Sequence, residues 1–312
     1  MTKVAYIFPG QGSQYAGMSK SFFDAFASAR RTFEEANDAL GFDIKKLAFD
    51  GPKEELDRTE ITQPAILVAS VAALRSLGER TGFVPAFFAG HSLGEYTALV
   101  AAGSLGFKDA VRLVHLRGKF MQEGVAEGAG RMCAVLGLGI EAVLEVCAEA
   151  SDESHVAVAA NINSPEQIVI SGHAVAVDRA AVLAKEKGAK RAIILPVSVP
   201  SHSPLMAGAA ARLRRELDKV SFAAFSAPVI TNVEAAPEKD SSRTIDLLTR
   251  QLTSPVRWVD ITRRMKAESV GLVVEIGPGK VLTGLVRRIE KEMNTANLGE
   301  AVDMENVLGL LR

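Results

Sequence analysis

Short apolar runs rich in Val, Ile and Phe alternate along this chain with longer segments whose apolar residues recur at helical spacing. That alternation is the pattern of an α/β protein with a largely parallel sheet. The predicted strands of this sheet are Val4 to Phe8, Ala86 to Ala89, Val229 to Val233 and Leu272 to Ile276. Between the first two, Gln63-Pro64 reads as the opening of a helix, with proline in the first turn, where its missing N–H is tolerated. Ile66, Leu67, Ala69, Ser70, Ala73, Leu74 and Leu77 follow at helical spacing, and Gly78 ends the run.

Between Arg131 and Val197 the order changes. Strand Met132 to Leu138, helix Glu141 to Ala150, strands Val156 to Ala160 and Gln167 to Ser171, helix Ala174 to Lys187 and strand Ala192 to Val197 make a βαββαβ, split ferredoxin-like unit. Gly124, Gly128 and Gly130 precede it and Pro196 and Pro200 follow it, which marks it as an insertion. The expected organisation is a large α/β subdomain from residues 1–126 and 198–312, interrupted by a small one at 127–197.

Composition narrows the function. A length of 312 residues accommodates this division. Thirty-six basic against 37 acidic residues give a net charge of -1, so no overall field draws the chain to nucleic acid or to an anionic membrane. Cys133 and Cys147 are too few for a disulfide framework and lack zinc-knuckle spacing, so they read as core-filling thiols in a reducing compartment. The apolar stretch ending at Phe8 is stopped by Pro9 and Gly10, too short for a signal sequence, and the cytoplasm is the expected location. No apolar run approaches the roughly 20 residues that span a bilayer, so neither a membrane nor nucleic acid is expected as a partner.

The strongest chemical signal is Gly90-His91-Ser92-Leu93-Gly94, between the strand Phe87-Phe88-Ala89 and the helical run Glu95 to Ala102. A nucleophile elbow needs this strand–turn–helix context: two small residues permit a sharp turn that exposes the serine, and the helix N-terminus behind it favours developing negative charge. A serine between glycines also serves simply as a helix cap. His91 reads as a residue that packs or holds the elbow rather than as a base. The N–H of Leu93 is placed to meet an oxyanion.

A serine needs a base. His115 lies within the helical run Ala110 to Phe120, His155 precedes a strand of the insertion, His173 occupies a turn there, and lone histidines are usually satisfied or solvated. His202 differs, because Val199-Pro200-Ser201-His202-Ser203-Pro204 leaves the insertion for a helix that Ser203 can cap and Pro204 can begin. The residues alone leave its role open. Pro9-Gly10-Gln11-Gly12-Ser13-Gln14 has Tyr15 where a dinucleotide fingerprint needs glycine, and Gly277-Pro278-Gly279-Lys280 has Val274 and Val281 where a P-loop needs Gly and Ser or Thr. Nucleotide chemistry therefore loses its support.

Taken in order, Phe8-Pro9-Gly10-Gln11-Gly12-Ser13-Gln14, Gly90-His91-Ser92-Leu93-Gly94-Glu95-Tyr96, Arg117-Gly118-Lys119, Val197-Ser198-Val199-Pro200-Ser201-His202 and Glu275-Ile276-Gly277-Pro278-Gly279-Lys280-Val281-Leu282 resemble the malonyl-CoA:acyl carrier protein transacylases along essentially the whole chain. The resemblance implies a hydrolase-like α/β core with the ferredoxin-like insertion and the active site between them. It implies that Ser92 carries a malonyl ester, that His202 is general base and acid, and that the Gln251 carbonyl orients His202 in a dyad without a carboxylate. The N–H groups of Gln11 and Leu93 would form the oxyanion hole, His91 would stand behind the elbow, and Arg117, with Gln251 beside it, would bind the free carboxylate of malonate. Malonyl-CoA would be the donor and the phosphopantetheine thiol of holo acyl carrier protein the acceptor, in a ping-pong sequence by a monomer needing no metal and no permanently bound cofactor. Lys187, Lys190 and Arg191 cluster in sequence, but read as a solvated helix end.

Two other readings compete with acyl transfer to a carrier. An esterase or thioesterase would share the elbow but pass the acyl group to water, and would want a triad acid. A non-catalytic docking domain would not need Ser92, His202 and Arg117 together.

Overall fold

The computed structural model describes residues 2–197 and 199–312; Met1, and Ser198 of the Val197–His202 motif at the predicted end of the insertion, lie outside the described residues. The larger sheet has six strands, β1 (Lys3–Phe8), β2 (Phe87–Gly90), β7 (Val229–Ile230), β8 (Pro237–Glu238), β9 (Val270–Ile276) and β10 (Asn294–Leu298), in the order β10-β9-β1-β2-β7-β8. All neighbours are parallel except β7 and β8. Val4, Tyr6 and Phe8 enter one core layer, whereas Ala5 and Ile7 enter the other with Trp258, Ile261 and Leu285. Burial on both faces is why this strand reads as a continuous apolar run.

The small sheet comprises β3 (Gly130–Leu136), β4 (Ala157–Ser164), β5 (Gln167–His173) and β6 (Arg191–Ile194), antiparallel in the order β4-β5-β3-β6. Helices Ile140–Ala150 and Ala174–Glu186 connect them. This is the ferredoxin-like arrangement expected from the sequence, and with the parallel sheet it gives the mixed α/β fold. Side-chain alternation splits β3: Cys133 and Val135 pack under the two helices, while Met132 faces the other way with Ala160 and Val169.

Several expectations need correction. The long helix runs Thr59–Gly78, so Pro64 lies inside it and not in its first turn. A proline there leaves the carbonyl of Glu60 without its usual helical donor. His115, from the neighbouring helix Phe107–Glu123, supplies a donor instead through Nδ1, at 2.9 Å. At 20 residues the Thr59–Gly78 helix is also long and apolar enough to cross a bilayer, contrary to the sequence expectation; here it is a core helix, buried over most of its length. The strand expected at Val229 to Val233 stops after Ile230, because Asn232 turns its backbone N–H to Glu95 and its side chain to the elbow. Ser203 donates to the carbonyl of Pro200 at 2.7 Å and does not cap, and Pro204 begins a short 3-10 turn before the helix Ala207–Leu217. Strand β10, with its Asn-Thr-Ala-Asn-Leu sequence, was not foreseen.

Candidate active site

Strands β1 and β2 end side by side, with Phe8 opposite Gly90, and the two glycine loops leave the sheet together. The turns fit only because side chains are missing. A Cβ on Gly90 would lie 2.0 Å from the carbonyl carbon of Gly94, one on Gly94 would lie 2.1 Å from the Phe8 oxygen, and one on Gly10 would lie 2.5 Å from the His91 oxygen. Between them Ser92 adopts φ of 52°, an unfavourable conformation for a residue with a side chain. Asn232 holds this turn from outside: its Oδ1 accepts the Ser92 N–H at 2.7 Å, and its Nδ2 donates to the Gly90 carbonyl at 2.6 Å.

His202, 3% exposed and also at positive φ, places Nε2 2.8 Å from Ser92 Oγ. Its Nδ1 lies 2.8 Å from the main-chain oxygen of Gln251. A carbonyl only accepts, so Nδ1 carries the proton and Nε2 offers its lone pair to the serine hydroxyl. Burial, with the charge of Arg117 adding to it, lowers His202 to about 3. The imidazole is therefore neutral at neutral pH, the state a base requires.

Arg117 projects from the Phe107–Glu123 helix and is 1% exposed. Nη1 donates to Gln63 Oε1 at 2.7 Å, and Nη2 reaches both Ser92 Oγ and Gln251 Oε1 at 3.0 Å. The guanidinium lies over the ring of Tyr96, 5.7 Å from its centroid. Among the described residues it forms no ion pair, and its Nε has no acceptor. Burial works against this charge, while Glu95 nearby supports it. A buried cation without a directly paired anion is a receptor for one.

Gln251, placed by sequence in the substrate site, instead lies behind it. Its side chain is fully buried, with Nε2 donating to the Ser92 carbonyl at 3.0 Å and to Glu95 Oε2 at 2.7 Å. Gln11 and Leu93 both line the cleft. Among the described residues neither of their main-chain N–H groups has an acceptor, and the Leu93 amide lies at the start of the helix Gly94–Ala101, where backbone donors are left free. His91 directs Nε2 to Asn163 Oδ1 at 2.8 Å and packs its ring 5.7 Å from that of Trp258, so it ties the elbow to β4 of the small sheet. His155 and His173 pack edge to face within the small unit, far in role from the serine.

Sequence reasoning missed three residues of this network. In the sequence Gln63 reads only as a helix opener, and Glu95 only as a member of the elbow motif and the helical run after it, without a role of its own. Asn232 left a signal, since the pair Thr231-Asn232 interrupts an apolar run where a strand should continue. Burial pushes Glu95 up to about 7, opposed by its hydrogen bonds to Gln251 and Asn232.

The cleft has a volume of about 610 Å³. Ser92, His202, Arg117 and Gln11 line it from the large unit, its floor, and Met132, Ala134, Val169 and Leu195 line it from the small unit, its wall. A preformed serine–imidazole pair, two free amides and a buried cation on one side of a cleft are the parts needed for acyl transfer through a serine ester.

The acyl transferase domain family matches residues 5–312. The malonyl CoA-acyl carrier protein transacylase of Escherichia coli (strain K12) is 48% identical over 310 residues, covering 99% of this chain and 100% of that protein. Among solved structures, an acyl carrier protein S-malonyltransferase from Vibrio cholerae superposes with a TM-score of 0.96 at 47% identity, over 98% of this chain and 100% of that one. A malonyl-transacylase solved in complex with its type II PKS acyl-carrier protein superposes with a TM-score of 0.96 at 44% identity, over 99% and 100% of the two chains. This chain belongs to the acyl transferase domain family and, within it, to the malonyl CoA-acyl carrier protein transacylases.

Proposed function

We propose that this enzyme moves a malonyl group from malonyl-CoA to the phosphopantetheine thiol of holo acyl carrier protein through an ester on Ser92, supplying fatty acid elongation. The observation that carries the reading is Ser92 Oγ held between His202 Nε2 at 2.8 Å and Arg117 Nη2 at 3.0 Å. Ser92 Oγ attacks the thioester carbonyl as its proton passes to His202 Nε2. The carbonyl oxygen becomes an oxyanion facing the amides of Gln11 and Leu93. Collapse breaks the carbon–sulfur bond, and the CoA sulfur leaves with the proton from His202. The carrier thiol then gives its proton to His202, attacks the ester and restores the serine.

Arg117 is the residue for the free malonyl carboxylate, because its forked guanidinium can exchange protein acceptors for a bidentate anion. Gln251 serves by orienting His202 through its carbonyl and by fixing Arg117 through its side chain. His91 acts behind the elbow, not on the substrate. The unit at 127–197 works as a small subdomain that closes the cleft over the acyl group. The reaction runs in the cytoplasm, with the enzyme as a monomer and without a permanently bound cofactor.

Intact-protein mass spectrometry after brief exposure to malonyl-CoA tests the scheme. A malonyl adduct is expected on wild type and not on Ser92→Ala, discharged when holo carrier protein is added. An adduct that water removes as fast without the carrier would instead establish a hydrolase.

A further inference from the structure

The polar network beneath the elbow ends on one carboxylate that the acyl-transfer scheme leaves without a task. Glu95 is the second residue of the helix that follows Ser92, and it is 2% exposed. It does not line the substrate cleft; the cavity it borders is a small one shared with Thr231, Thr244 and Glu238. It is therefore set back from the substrate cleft. Its Oε2 accepts two hydrogen bonds, from Gln251 Nε2 at 2.7 Å and from the main-chain N–H of Asn232 at 3.2 Å.

Those two donors belong to the two clamps of the reacting pair. Asn232 holds the Ser92 N–H and the Gly90 carbonyl, which fixes the strained serine. Gln251 holds the Ser92 carbonyl and Arg117 with its side chain, and His202 Nδ1 with its main-chain oxygen. The clamps come from distant parts of the chain, the segment after β7 and the helix Thr244–Gln251. Both donate to one oxygen of Glu95. We infer that Glu95 is a positioning residue, a single acceptor that sets the clamp on Ser92 and the clamp on His202 in register.

This inference rests on the Ser92–His202 reading above, and the experiment separates the two. A fluorophosphonate probe labels an activated serine without using the malonyl carboxylate, so its rate of reaction with Ser92 reports the register of the pair directly. Glu95→Asp keeps the charge but withdraws the oxygen by one methylene, and Glu95→Met fills a similar volume with no oxygen. Glu95→Gln keeps an oxygen at the same reach. Because a displacement of about 1 Å at a reacting pair costs on the order of a hundredfold, Asp and Met are expected to slow labelling about a hundredfold, and Gln to stay within about threefold of wild type. The KM for malonyl-CoA is expected to change much less than the labelling rate, since Glu95 reaches Arg117 only through Gln251. The Met variant makes the result independent of whether the Asp variant folds. Labelling of Asp or Met at the wild-type rate would overturn the inference, as would a Gln variant as slow as Asp, which would show that an acceptor oxygen at that reach does not set the register. Wild type that resists the probe at Ser92 would fail the catalytic reading itself and this inference with it.

Discussion

The floor of the cleft and its wall differ in what they are made of and in how tightly each part is held. On the floor, Ser92, His202 and Arg117 are tied to one another and to Gln251 behind them by hydrogen bonds of 2.8 to 3.0 Å, and Ser92 and His202 sit at positive φ. The wall presents Met132, Ala134, Val169 and Leu195, with Asn161, Asn163 and Gln167 as its polar members. Rigid polar networks supply orientation and charge, and each member carries the desolvation cost of its neighbours if it is lost. An apolar wall supplies shape, which degrades gradually as atoms are removed. A substitution on the floor should therefore change the reaction, and one on the wall should change fit.

Among residues that line the cleft, a large effect is expected at Arg117. Lysine in its place keeps a positive charge but presents no planar fork, so it cannot span Gln63, Gln251 and a substrate carboxylate together. A charge-assisted pair is worth about 1.5 to 3 kcal/mol, so Arg117→Lys is expected to lower malonyl transfer by roughly tenfold to a hundredfold. Transfer of acetyl, which has no second carboxylate, should fall far less. Parallel kinetics with malonyl-CoA and acetyl-CoA decide the matter, and equal losses would refute the carboxylate role.

The difference between floor and wall also explains what could be read from the sequence. The elbow was legible because close approach demands glycine at Gly90 and Gly94, a demand that leaves its mark in five consecutive residues. The small unit was legible because its strands and helices follow one another with clean periodicity. The supports were not: Ser92 is held by Asn232 and Gln251, 140 and 159 positions away, and nothing local to either amide names the serine as its partner. Gln251 and Arg117 were reached only through family resemblance, and Asn232 and Glu95 were missed. Pro64 was misplaced for the same reason, since the donor that makes it tolerable, His115, comes from another helix.

His202 offers a smaller but sharper test of the floor. A histidine with the ordinary value of about 6.5 would be mostly protonated at pH 5, and a reaction needing its lone pair would slow roughly thirtyfold there relative to pH 8. Burial and Arg117 lower His202 to about 3. The neutral, active form then persists through this range, so single-turnover malonylation of Ser92 is expected to change little between pH 8 and pH 5. A decline centred near 6.5 would mean that the floor is wetter, or Arg117 farther from the imidazole, than this geometry requires.

The smallest effect belongs to the wall, and its form matters more than its size. Val169 lies in the satellite cluster with Met132 and Ala160 and lines the cleft from the small unit. Val169→Ala removes two methyl groups from a surface that excludes water, without touching any hydrogen bond of the floor. Loss of roughly 1 kcal/mol of apolar contact corresponds to about a fivefold rise in KM for malonyl-CoA. The rate of serine acylation at saturation should hold, because the interaction is the same before and at the transition state. A fall in that rate with KM unchanged would place the small sheet among the groups that orient the reaction, and the division between a floor that reacts and a wall that fits would have to be given up.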